Sequence, residues 1–298
     1  MTIGIDIGGT NIKGVLLKNS KVVDKIKIKT KSKSNKKILI AQIFECISYL
    51  LRKRMRVKKI GIGVAGPVDF ENQKVLNPPN VTGLKGLYLG KLVKERFTPH
   101  LKKGAGANID NDVHFLVLAE ALLGAGKGKK MVIGLGLGTG VGGGIVLNGK
   151  IMHGKTGTAG EMGHMTIKKN GWLCGCGSRG CLEAYINEKG IKRTAKQIFG
   201  KEIDSITLYK MAKKKNKNAI KAWAIVGQNL GIGLANLVDT LNPDIVIIGG
   251  GISGAGELLL SPARKEMRKN ILSPLAKNTK IVRAKLGEFA GAIGAGLL

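Results

Sequence analysis

The chain has 298 residues, with 50 Lys and Arg against 19 Asp and Glu for a formal charge of +31, and 45 glycines, about twice the usual share. Hydrophobic residues make up 43%, enough to bury a core and to exclude a disordered tail. No apolar run approaches the ~20 residues that cross a bilayer, and the opening MTIGIDIGG is not a charged-then-apolar leader, so a cytoplasmic protein of about two domains is expected.

Residues 3–7 and 12–17 read as strands around a glycine turn, and 22–28 as a third strand. Ile40, Ile43, Phe44, Ile47, Leu50 and Leu51 fall at helical spacing and predict a helix over 38–51, with Cys46 on its apolar face. A buried strand over 60–65 ends in Gly66-Pro67. Residues 71–90 read as loop and 91–97 as helix. The segment 104–109 leads through Asp110-Asn111-Asp112 into a helix over 113–123. Residues 131–147, MVIGLGLGTGVGGGIVL, match the N-terminal hairpin at a constant offset. Ile3 pairs with Ile133, Gly4 with Gly134, Gly8 with Gly138, Gly14 with Gly144 and Leu17 with Leu147. That points to an internal duplication and two similar lobes. A long buried helix follows over 218–241, stopped by Asn242-Pro243. A strand over 244–248 runs into Gly249-Gly250-Gly251. Another strand covers 280–285, and the closing GEFAGAIGAGLL reads as a small-residue helix suited to tight packing.

Glycines at strand turns let backbone N–H groups approach an anion. Asp6, Gly8, Gly9, Thr10, Asn11 and Lys13 add a carboxylate, a hydroxyl and a cation to the first turn. Asp6 suits a water-bridged magnesium ion, and Thr10 and Lys13 suit phosphate oxygens. Gly138, Thr139 and Gly140 offer a second cradle, and Gly249–Gly251 a third. No GxxxxGK[ST] occurs, so the chain is not a P-loop protein. The three turns together favour a nucleotide over a set of merely tight hairpins.

His164, Cys174, Cys176 and Cys181 form His-x₉-Cys-x-Cys-x₄-Cys, one imidazole and three thiols. This is a closed tetrahedral set and hence a structural zinc site. Free thiols or a disulfide are the other readings, and a cytoplasmic setting disfavours the disulfide. His100, His114 and His153 have no partner at ligand spacing and read as surface or hydrogen-bonded residues. Asp110, Asn111 and Asp112 read either as an ordinary N-cap or as the place of a general base at a strand end. Glu161 and Glu183 flank the zinc set, and carboxylates held there suit the hydroxyls of a sugar.

Taken together, these motifs resemble the ROK family (repressor, open reading frame, kinase) of sugar kinases, over essentially the whole chain. Residues 6–13 resemble its first phosphate motif, 137–144 its second, and 161–164 with 174–183 its zinc segment. The resemblance implies an α/β, two-lobed, actin-like (RNase H-like) ATPase fold with an internal duplication and a zinc knuckle. The N-terminal lobe is expected over 1–111, completed by the helix 288–298, and the C-terminal lobe over 112–287 with its zinc segment 161–183. It implies ATP, Mg²⁺ and structural Zn²⁺ as cofactors and a homodimer or higher homo-oligomer. Asp112 resembles the catalytic base and Asn111 a hydroxyl-binding neighbour. Glu161, His164 and Glu183 resemble sugar contacts, and Gly66 a backbone contact to the sugar. Gly249 and Gly250 resemble the adenosine loop.

The chain departs from the family pattern at Val113-His114, where small residues and an Asn are usual, and at Asn80-Val81-Thr82-Gly83-Leu84, which lacks a Trp common in glucokinases. The first phosphate motif begins near residue 3, so the family's N-terminal DNA-binding domain is not expected. The expected activity is an ATP-dependent hexose kinase forming glucose 6-phosphate. An N-acetylmannosamine or N-acetylglucosamine kinase is the alternative, with a polyphosphate-dependent enzyme and a nucleic-acid-associated regulator behind it. The basic runs at 29–37, 52–59 and 213–217 lie beside loops and helix ends, and aromatics are only 4%. No specific nucleic acid or membrane partner is therefore expected.

Overall fold

A computed structural model describes residues 1–51 and 56–298; part of the basic run at 52–59 lies outside the described residues. The chain opens with β1 (Thr2–Ile7), β2 (Asn11–Lys18) and β3 (Lys21–Lys29), then α1 (Lys36–Leu51) and β4 (Val57–Val64). A small hairpin, β5 (Val68–Asp69) and β6 (Lys74–Val75), precedes α2 (Leu89–Phe97), so the stretch read as loop is partly ordered. Next come β7 (Leu101–Asn111), α3 (Asp112–Leu123), β8 (Met131–Leu137), β9 (Val141–Leu147) and β10 (Lys150–Ile151). Four helices follow: α4 (Glu183–Ile186), α5 (Glu188–Phe199), α6 (Ser205–Lys213) and α7 (Lys217–Leu241). The chain ends with β11 (Ile245–Gly249), α8 (Glu257–Asn270), β12 (Lys280–Arg283) and α9 (Ala290–Leu297).

Two five-stranded sheets carry the same strand plan, β3-β2-β1-β4-β7 and β10-β9-β8-β11-β12. In the first, β1 pairs antiparallel with β2 and parallel with β4, and β4 pairs parallel with β7. In the second, β11 is parallel to both β8 and β12. Four of the five pairs matched at constant offset thus fall on corresponding strands, β1 with β8 and β2 with β9, and the fifth, Gly8 with Gly138, on the turns that join them.

By contacts the chain divides into one unit of residues 1–128, 145–159 and 285–298, and another of 129–144 and 160–284. The division does not fall at 111/112, because α3 packs on α9 and on β4 and so belongs with the first sheet.

Strand alternation explains the first unit. Ile3, Ile5 and Ile7 of β1 and Ile60, Ile62 and Val64 of β4 are fully buried in one core with Ile43, Ile47 and Leu50 of α1. The opposite face of the same strands carries Gly4, Asp6, Gly61 and Gly63. There α9 lies directly on the backbone. A methyl group at Gly4 would overlap the Ala292 carbonyl, and one at Gly61 the Ala295 carbonyl. Gly294 of α9 in turn meets the Phe115 carbonyl of α3. The small-residue stripe expected of the last helix is what lets it close on this face. In the second unit α7 packs along α8, with Gly227 and Gly231 admitting Pro262 and Glu266.

Candidate active site

In the first unit, β1 and β2 turn at Gly8–Asn11, where Gly8 N–H donates to the Asn11 carbonyl at 3.0 Å. Thr30, just past β3, braces the turn: its hydroxyl donates to Gly8 O at 2.8 Å and its N–H to Thr10 O at 2.9 Å. Thr10 is exposed, and Gly8, Gly9 and Asn11 are half-buried. Asp6 and Lys13 are direct cross-strand partners, which puts both side chains on one face, and their charges lie 3.8 Å apart.

The register also brings Asp112 to Asp6. Asp6 pairs with Gly63 on β4, and Gly63 pairs with Asp110 on β7. A Cβ on Gly63 would sit 3.3 Å from the Asp112 Cα, and one on Gly291 of α9 would sit 3.0 Å from the Asp6 carboxyl carbon. The two missing side chains make room for the two carboxyls. Burial first, and the charge of Asp112 second, push Asp6 up to about 7 against the pull of Lys13. Burial likewise pushes Asp112 up, against the Val113 N–H and the charges of His114 and Lys13.

Asn111 caps α3. Its Oδ1 accepts from Val113 N at 2.8 Å and from His114 N at 3.4 Å, and its Nδ2 donates to Gly66 O at 3.1 Å. The amide expected to meet a hydroxyl therefore also holds the helix start and the Gly66 turn. Asp112 is the first residue of the helix, where the helix dipole favours negative charge. His114 and His153, which look partnerless in the sequence, both contact Asp110: His114 Nδ1 at 2.8 Å from Oδ1, and His153 Nε2 at 2.6 Å from Oδ2. The sequence holds the Asp110–His114 half of this contact as an i, i+4 pair. His153 comes from beyond β10 and leaves no local signal.

In the second unit the turn Gly138–Gly140 is open: Thr139 and Gly140 are exposed, and no atom lies within 4 Å of a Cβ built on Gly138. It is braced from the segment after the cysteines. Glu183 Oε2 accepts from Val141 N at 2.8 Å, Asn187 Nδ2 donates to Thr139 O at 3.2 Å, and Glu188 N donates to Gly138 O at 3.2 Å. Asn187, absent from the sequence reading, also caps α5 through Gly190 N. Glu183 thus ties the loop to the cysteine cluster, its Oε1 lying 3.4 Å from Cys174 Sγ. Gly249 closes β11 in the core, and Gly250 follows with φ 80° where a side chain would overlap Leu137 O.

His164, Cys174, Cys176 and Cys181 place their donor atoms within 4.8 Å of one another. His164 Nδ1 is 3.7 Å from Cys174 Sγ, and Cys176 and Cys181 sulfurs are 3.7 Å apart. Sulfurs held at ~2.3 Å around a tetrahedral zinc stand roughly 3.8 Å apart, so the set fits that ion and is far too open for a disulfide. The other ring nitrogen of His164 faces exposed Glu161 at 3.9 Å. The backbone N–H of Ser178 leads in lowering Cys176 to about 7, while burial lifts Cys174 to about 12 and raises Cys181.

The ROK family model matches residues 2–298. The chain belongs to the ROK family. A glucokinase of Thermotoga maritima is 32% identical to this ROK chain over 310 residues, spanning 98% of it and 95% of the relative. An N-acetyl-D-glucosamine kinase of Aliivibrio fischeri is 30% identical over 309 residues, spanning 100% and 99%. The crystal structure of a ROK family glucokinase from Streptomyces griseus in complex with glucose and AMPPNP has a TM-score of 0.83 to this ROK chain. It is 31% identical and covers 99% of this chain and 97% of that one. Among the described residues no helix is long and apolar enough to cross a membrane.

Proposed function

We propose that this ROK protein is an ATP-dependent hexose kinase that transfers the γ-phosphoryl group to a sugar hydroxyl, with glucose as the acceptor and glucose 6-phosphate as the product. The observation that carries the reading is Asp112: a carboxylate raised by burial, first in its helix, brought to Asp6 at the end of β1. A raised carboxylate suits a general base working near neutral pH.

Asp112 accepts the proton of the attacking hydroxyl as its oxygen bonds to the γ-phosphorus and the bond to the β-phosphate oxygen breaks, releasing ADP. Asn111, Glu161, His164 and Glu183 are assigned to hydroxyls of the sugar, together with the Gly66 backbone. Glu161 and His164 are exposed and suit this directly. Asn111 and Glu183 contribute the bonding capacity left by their internal contacts. The backbone of Gly8, Gly9, Thr10 and Asn11, the Lys13 ammonium, and Gly138, Thr139 and Gly140 are assigned to phosphates, and Gly249 and Gly250 to the adenosine. Asp6, in the same turn region as Lys13, would hold magnesium through water. When bound, that ion would supply positive charge to neutralise what develops on the transferred phosphoryl. The Cys₃His set is assigned to a structural zinc, in a two-lobed actin-like fold to which the repeated strand plan lends support.

Asp112→Asn is expected to lower kcat by about 10²–10⁴-fold with metal content unchanged; near-normal turnover would remove the base assignment. The amino-sugar kinase named among the relatives favours N-acetylglucosamine as a second reading. A panel of sugars in an ADP-coupled assay decides between them: the highest kcat/KM on glucose supports the first reading, and on N-acetylglucosamine the second.

A further inference from the structure

A cavity of about 360 Å³ opens in the second unit, lined by Lys168, Arg179 and Arg193 together with Trp172 and Tyr185. Its wall is backbone-built. Leu173 and Arg179 pair antiparallel across the turn that carries Cys174 and Cys176. Gly180 N donates to Trp172 O at 2.9 Å, and Gly180 O accepts from Ile167 N at 2.9 Å and Lys168 N at 3.3 Å. These bonds bring Lys168, Trp172 and Arg179 to one place. Gly171 has no side chain, which lets the Tyr185 hydroxyl reach Trp172 N at 2.9 Å.

The rings and carbonyls also hold the guanidinium groups. Trp172 stacks on Tyr185 with centroids 4.6 Å apart, and the Arg193 guanidinium carbon lies 5.6 Å from the Trp172 centroid. Arg193 Nη1 donates to Leu173 O at 3.3 Å and Arg179 Nη1 to Gly171 O at 3.4 Å. Each fork thus commits one N–H to a neutral carbonyl and keeps the others. Among the described residues none of the three cations forms an ion pair. Unpaired cations are common on so basic a chain, and a further observation sets these apart. Tyr185 is 4% exposed; its hydroxyl accepts from Trp172 N, and its own hydrogen meets no acceptor among the described residues. A buried donor in a cavity lined by three unpaired cations is completed by an anion.

We propose that Lys168, Arg179, Arg193 and the Tyr185 hydroxyl bind a phosphate dianion, either free or carried by a small molecule. Guanidinium forks match pairs of oxygens on one phosphorus, and a lysine ammonium adds a point charge. Three positive charges suit a doubly charged group with several oxygens better than a singly charged carboxylate. The cavity has the size of those that take small organic ligands, so the phosphate can bring a body with it. The site shares no residue with those assigned to sugar, nucleotide, catalysis or zinc, and it stands whatever the acceptor of the reaction proves to be.

The test is a titration of the full-length protein with inorganic phosphate and, separately, with glucose 6-phosphate, against KCl at equal ionic strength, read by tryptophan fluorescence. The chain has two tryptophans, and Trp223 is buried in the core, so a response to solute reports on Trp172. A saturable change is expected with at least one of the two phosphate compounds, and the tighter of them names the source. Trp172→Phe should silence it. Arg179→Gln and Lys168→Gln, both at exposed positions, are each expected to raise the apparent Kd about tenfold or more with the melting temperature unchanged. Lys13→Gln, at the turn assigned to nucleotide phosphates, should leave the response as it is. A response no different from that to KCl would overturn the proposal, as would an unchanged Kd in both cavity variants. A response that survives Trp172→Phe, or that is lost in Lys13→Gln, would place the phosphate elsewhere and overturn it too.

Discussion

Asp6 and Asp112 acquire their acid–base character from side chains that are missing around them. Gly63 and Gly291 leave the space, the sheet register fills it with two carboxyls, and burial makes both reluctant to ionise. A base works deprotonated, so turnover should rise with pH through an apparent pKa above the ordinary carboxylate range. A kcat/KM profile checks this, and the limb belongs to the pair rather than to one residue. Asp6→Asn removes a neighbouring negative charge and is expected to move the limb to lower pH; an unmoved limb would uncouple the two groups. The same raised pKa has a stability sign. The contribution of protonated Asp6 is fully present below the unfolded value of 3.8 and is lost as pH rises through about 7. The residue types of this pair are legible in the sequence, as are the thiols and His164. Their electrostatics are not, because burial depends on α9, whose residues are nearly three hundred positions from β1. Nor is the Asp110–His153 contact, which joins residues 43 positions apart with no shared motif.

At the scale of elements, α9 is the tightest joint in the first unit. Its glycines and alanines meet the backbones of β1, β4 and α3 with no side chain between. Gly61→Ala forces a methyl into the Ala295 carbonyl, and over-packing of this kind costs about 1–3 kcal/mol or more. The expected result is a melting temperature lower by several degrees, whereas Gly86→Ala, where a Cβ has open space but φ is 76°, tests backbone strain alone. An unchanged melting curve for Gly61→Ala would mean that α9 does not sit where it is described. The sequence signals the hairpins, α1, α7 and α9 through apolar periodicity. It hides α8, because Pro262 lies inside that helix and a proline there normally argues for a break. The packing of that proline against Gly227 is a tertiary feature with no local trace.

At the scale of the whole molecule the formal charge of +31 is spread over strands, helices and loops, with Lys25, Lys27 and Lys29 on β3, Lys192 and Arg193 within α5, and Arg264 and Lys265 within α8. It acts as a field on anionic nucleotides before they bind. Raising KCl from about 0.05 to 0.5 M should therefore lower kcat/KM for the nucleotide by several-fold while kcat at saturation holds, as screening shortens the reach of the field; a flat kcat/KM would leave the charge with no part in encounter. The repeated strand plan is readable from five paired positions, and the return of the last helix to the first unit is what the resemblance implies, whereas the return of 145–159 to that unit has no local signal. That assembly fixes an order of events in synthesis. As the chain leaves the ribosome, β1 and β4 emerge with one face bare, and the helix that covers it, α9, is made only after every other element described. The second unit is built from two stretches, 129–144 and 160–284, both made before α9. The first unit is thus completed last, and until α9 is made its glycine-lined sheet face stays uncovered.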